Sequence, residues 1–109
     1  MKAVFYRDPE KGLTGFQVSG HAGYARSGKD IVCSAVSALT TNTVNAIETF
    51  TADEADLTVR EKDGFMEYRL KTVSPESTLL LKSLRLGLKS IEASYGKYLE
   101  IIEEETGSC

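Results

Sequence analysis

Between Ile31 and Phe50 the chain sets Val32, Ala35, Val36, Leu39, Thr43, Ala46, Ile47 and Phe50 three or four positions apart, with polar residues mostly between them. Residues at that spacing share one side of an α-helix, so the segment predicts a helix with a single buried face. Asp30 stands at its N-cap position, where a carboxylate can accept from the unpaired amides of the first turn. A helix with one apolar face must lie against another layer, and the flanking sequence supplies strands for it. "KAVFYR" and "LTGFQVSG" are rich in β-branched and aromatic residues and are separated by the turn-forming "DPEKG", which predicts a hairpin over residues 2 to 19. "ADLTVREKDGFMEYRL" repeats the pattern: Leu57 and Val59 alternate with Thr58 and Arg60, the pair Asp63-Gly64 turns the chain, and Met66, Tyr68 and Leu70 resume.

Ser74 followed by Pro75 reads as a second helix start, since proline at the first helical position gives up an amide that had no partner. Leu80, Leu84, Leu88, Ile91 and Tyr95 mark its apolar stripe, which ends near Gly96. The tail "KYLEIIEEE" is compatible with a continued helix but is read as a last strand. The order ββαββα(β) predicts an α+β domain over residues 1–109, a small single-domain α/β sandwich with both helices on a mainly antiparallel sheet. With 109 residues, 41% of them hydrophobic and 27% charged, the chain suits one globular core.

No apolar run approaches the roughly 20 residues a membrane helix needs, and "MKAVFYRDPEKG" lacks the apolar stretch of a secretory signal, so a cytoplasmic protein with no membrane partner is expected. A reducing cytosol would keep Cys33 and Cys109 as thiols. The net charge of -3 argues against direct nucleic-acid binding, which calls for clustered excess Lys and Arg.

The chemistry concentrates in "GHAGYARSGKDIVC", Gly20 to Cys33, which holds three glycines, the only histidine and one of the two cysteines. Gly23-x-x-x-x-Gly28-Lys29 has the spacing of a phosphate-cradling loop. That design requires Ser or Thr after the lysine to ligate magnesium, whereas Asp30 here would bring another negative charge to the phosphates. A zinc site lacks paired ligands, so neither metal nor other cofactor is expected. The remaining reading joins His21 to Cys33. The positive end of a helix favours thiolate over thiol, and its unpaired amides can also donate to the oxyanion formed when sulfur attacks a carbonyl. On spacing alone a bland reading stands beside it: Cys33 as a small buried hydrophobe, His21 as a surface or capped residue, the glycines as turn formers, and Asp30 as nothing more than a cap.

The stretch "GHAGYARSGKDIVCSAVSAL", Gly20 to Leu39, resembles the signature of the ribosomal-processing cysteine protease family, Prp. The combination of a histidine directly after glycine and Gly-x-Asp-x-Val-Cys opening a helix is specific, although Ser34 stands where alanine is the more usual residue. The resemblance implies a cysteine endopeptidase that trims a short N-terminal extension from the large-subunit ribosomal protein numbered twenty-seven. It implies His21 and Cys33 as the catalytic pair, a substrate extension ending in paired phenylalanines with a small residue after the cut, and a homodimer. Asp30 is then a cap or an imidazole orienter, and Gly20, Gly23, Tyr24, Arg26 and Gly28 are candidates for the loop that meets substrate. Residues 22 to 29 carry few large apolar side chains and are expected to be poorly anchored. The competing reading is a non-catalytic, ribosome-associated interaction module with a structural cysteine; a redox-sensing thiol is a third.

Overall fold

Residues 1–26 and 30–106 are described by a computed structural model of the chain. Gly28 and Cys109 lie outside the described residues. The elements are β1 (Lys2–Asp8), β2 (Gly12–Ser19), α1 (Ile31–Phe50), β3 (Ala55–Arg60), a 3-10 turn (Glu61–Asp63), β4 (Phe65–Leu70), α2 (Pro75–Tyr95) and β5 (Glu100–Glu105).

The strands form one sheet in the order β3-β4-β2-β1-β5. The pairs β1/β2, β2/β4 and β3/β4 are antiparallel, and β5 joins the far edge parallel to β1. The tail is therefore a strand. Its parallel entry follows from α2, which carries the chain back across the sheet before the last strand pairs, as parallel neighbours require.

Local chemistry starts each helix where the sequence places it. Asp30 Oδ1 accepts from the amides of Val32 and Cys33, each at 3.0 Å. At α2 the Ser77 amide donates to Ser74 Oγ at 3.2 Å while the Ser74 amide donates to Ser77 Oγ at 3.1 Å, a reciprocal box that satisfies two otherwise orphaned donors.

The core lies between the helices and one face of the sheet. Phe5, Phe16 and Tyr68 stand in register across β1, β2 and β4, with ring centroids 6.3 and 6.0 Å apart. Val36 and Ile47 of α1 and Leu81, Leu84 and Leu88 of α2 are buried in the same cluster. Full burial of side chains of this size contributes about 1.5–3 kcal/mol each.

Four sequence expectations need correction. Phe50 is 74% exposed, not part of the buried face. A helix of 20 residues is about 30 Å long. Phe50 is the last residue of that helix, where no following turn covers its side chain. Thr40 and Val44 take inward places in α1, and the Thr40 hydroxyl donates to the Val36 carbonyl at 2.9 Å. Leu57 and Val59 are each 48% exposed because β3 is an edge strand with only β4 beside it. The second hairpin does not close on Asp63-Gly64 alone. A 3-10 turn intervenes, and Gly64 follows it in the left-handed region at φ 59°, ψ 40°.

Candidate active site

Strand β2 delivers the site. After Ser19 the chain turns at Gly20, whose φ of 82° few other residues adopt, and His21 emerges beyond the strand end with an exposed side chain. Cys33 arrives from the other side as the third residue of α1, half-buried and free. The chain between them folds back so that the amide of the buried Ala22 donates to Cys33 Sγ at 3.2 Å. His21 and Cys33 line one groove of about 310 Å³, bordered by Val18, Val36, Val59, Phe65 and Met66. It lies between the start of α1 and the adjoining ends of β2, β3 and β4. A larger, shallow hollow of about 810 Å³ sits among Lys11, Lys71 and Lys82 at the start of α2 and contains none of these residues.

Asp30 is buried and acts in this structure as the cap of α1. Beyond its two bonds to the first turn, its second oxygen accepts from the Tyr24 amide at 3.1 Å. The Cys33 amide is the principal cause holding its carboxyl below the ordinary carboxylate range. Burial works against this, and hydrogen bonds from the Cys33 side chain and from the Tyr24 and Ala25 amides reinforce it.

This arrangement corrects the expectation that first-turn amides are free for an oxyanion. The Val32 and Cys33 amides already donate to Asp30, and a capping carboxylate competes for the same donors. The donor found at the sulfur is the Ala22 amide, which composition and spacing could not reveal because the group belongs to the backbone.

The described part of the loop is better anchored than its composition predicts. Besides its amide bond to Asp30, Tyr24 sets its ring edge-on to Tyr95 and Tyr98, with centroids 5.5 and 5.2 Å away, while remaining 40% exposed. Gly23 has φ 73° and open space around it, and Arg26 is exposed. The partners of Tyr24 come from the end of α2 and the approach to β5, too distant in sequence for a local reading to pair. Among the described residues no group of three or more His, Cys, Asp or Glu side chains is arranged to hold a metal ion.

Residues 1–100 match the family described as cysteine protease Prp. The chain is 29% identical over 106 residues to the ribosomal processing cysteine protease Prp of Bacillus subtilis, covering 93% of this chain and 95% of that protein. It is 30% identical over 90 residues to the protein of the same name from Staphylococcus aureus, covering 82% and 85% respectively. The crystal structure of the Staphylococcus aureus ribosomal processing protease Prp, which holds a covalently linked product peptide, superposes with a TM-score of 0.89 at 27% identity, covering 94% of this chain and 98% of that one. A half-buried thiol and an exposed imidazole on one groove thus sit within a fold and a sequence that agree over nearly the whole chain, and the chain belongs to the Prp family of ribosomal processing cysteine proteases.

Proposed function

We propose that this chain removes the N-terminal extension of the large-subunit ribosomal protein numbered twenty-seven, with Cys33 as nucleophile and His21 as general acid and base. The observation that carries the reading is that the chain's only histidine and Cys33 open onto the same groove. In the proposed reaction the Cys33 thiolate attacks the scissile carbonyl and forms a C–S bond. His21, having taken the thiol proton, returns it to the amine as the C–N bond breaks. Water, deprotonated by His21, then hydrolyses the thioester and restores the thiol. The Ala22 amide beside Sγ supports negative charge on the sulfur. In this reading Asp30 holds the first turn, and with it Cys33, in place.

The apolar border of the groove, Val18, Val59, Phe65 and Met66, suits the paired phenylalanines expected before the cut. Gly20, Gly23, Tyr24 and Arg26 belong to the segment that the peptide would pass. The chain is proposed to work in the cytoplasm as a homodimer. Leu79 and Leu86, two turns apart on α2 and 66% and 70% exposed, offer apolar area for a second copy. No helix among the described residues is long and apolar enough to cross a membrane.

The test incubates the protein with a synthetic peptide carrying the Phe-Phe extension and identifies the products by mass, alongside Cys33→Ala and His21→Ala. The wild type is expected to cut after the second phenylalanine and both variants to lose the activity. Cleavage by Cys33→Ala at the wild-type rate would remove the assigned nucleophile.

A further inference from the structure

We propose that Gly64, in the β3–β4 connection, is a positioning residue for the His21 imidazole; the inference rests on the assignment of His21 as general acid and base. A Cβ built on Gly64 would lie 2.6 Å from the Gly20 carbonyl oxygen and 3.0 Å from His21 Cε1. A side chain there would have to displace either the peptide unit that carries His21 or the ring itself. Gly20 O belongs to the backbone and cannot swing aside as a side-chain tip would. Only a residue without a Cβ at position 64 therefore leaves the strand end and the imidazole where they stand.

The turn that carries Gly64 is braced, and the ring needs it. Arg60 Nε pairs with Asp63 Oδ2 at 3.2 Å, the Arg60 guanidinium lies 3.9 Å over the Phe65 ring, and the Gly64 amide donates to the Glu61 carbonyl at 3.1 Å. Asp30, the neighbouring carboxylate that sequence offered as an imidazole orienter, has both oxygens bonded to backbone amides. Packing against Gly64 therefore takes the place that a hydrogen-bonded carboxylate holds in other catalytic pairs. Gly64 and Phe65 also border the groove that contains His21 and Cys33, so movement of this turn changes the space around the imidazole directly.

The experiment compares Gly64→Ala, Gly64→Asn and Gly12→Ala. Gly12 has φ 85°, and a Cβ built there meets only Thr78 Cγ2 at 3.5 Å, so Gly12→Ala carries the left-handed backbone cost without the collision. Asparagine tolerates that region better than alanine but still brings a Cβ, so Gly64→Asn separates strain from contact. Because the chain has one histidine, a single Cε1–H resonance reports the imidazole without turnover. In the wild type a nuclear Overhauser contact between Gly64 Hα and His21 Hε1 is expected. Both Gly64 variants should shift the resonance and lower kcat on the Phe-Phe peptide by about tenfold to a hundredfold, with KM within about threefold. Gly12→Ala should leave both unchanged.

Absence of the Overhauser contact in the wild type, an unmoved resonance in a folded Gly64 variant, a moved resonance with wild-type kcat, or an equal loss in Gly12→Ala would each overturn the proposal. Wild-type cleavage by His21→Ala would fail the acid–base assignment instead, and is read in a variant that leaves Gly64 intact.

Discussion

The amide of Ala22 donates to Cys33 Sγ from 3.2 Å, so the residue after the histidine holds the sulfur by its backbone. A hydrogen bond to a charged group contributes about 1.5–3 kcal/mol, so losing this one disfavours the proposed thiolate by about tenfold to a hundredfold. Ala22→Pro, which deletes that N–H, is expected to lose activity on the Phe-Phe peptide by about that factor, and Ala22→Gly, which keeps it, to lose much less. Circular dichroism checks that both fold. Ala22→Pro cleaving as fast as Ala22→Gly would deny the bond a role.

The Asp30 carboxyl is held below its ordinary range chiefly by the Cys33 amide. The charged form is favoured in the fold, so its contribution is present above the unfolded value of about 3.9 and is lost as pH falls through the lower folded value. Urea unfolding of the wild type across acidic pH should show this decline. Asp30→Asn should flatten it while keeping an oxygen for the cap, and Asp30→Ala should lower Tm at every pH.

On the opposite sheet face the Tyr6 hydroxyl donates to Glu67 Oε2 at 2.7 Å and accepts from Gln17 Nε2 at 3.2 Å. Burial first, and then the bond to Glu67, push the Tyr6 phenol up to about 12. The folded value exceeds the unfolded one of about 10, so this stabilisation is complete below pH 10 and disappears as pH rises through 12. Burial also pushes the Tyr68 phenol up, so ultraviolet titration should show late phenolates from both, and Tyr6→Phe should remove the one that forms near pH 12. An unchanged late amplitude in Tyr6→Phe would assign the whole late step to other tyrosines.

Tyr68 is buried in the aromatic row, and among the described residues its hydroxyl finds no hydrogen-bond partner. Burying a hydroxyl without a partner costs about 1–3 kcal/mol. Tyr68→Phe keeps the ring against Phe16 and should stabilise the protein by about 1 kcal/mol in denaturant unfolding. A lower midpoint at unchanged slope would show that the hydroxyl is satisfied.

Much of the fold was legible because it is encoded locally. Asp30, Ser74 and Pro75 mark helix starts through bonds to the next few residues, and the alternation of Phe16 and Val18 announces a strand whatever pairs with it. That His21 and Cys33 border one groove was open to the sequence because one short stretch contains both. The partner of the tail strand and the exposure of Leu57, Val59 and Phe50 were not, since each depends on where an element ends up in the fold.

By itself the sequence determined the order of the strands and helices, the two helix caps, and the confinement of His21 and Cys33 to the stretch from the end of β2 to the first turn of α1, because period, capping and turn chemistry act between near neighbours. Only the tertiary structure decided that Ala22 presents its N–H to the sulfur, that Tyr24 rests on Tyr95 and Tyr98, and that Gly64 leaves no room for a side chain beside His21. These are approaches of backbone and ring within a few ångströms, set by how a mixed sheet brings distant segments together, and no spacing along the chain specifies them.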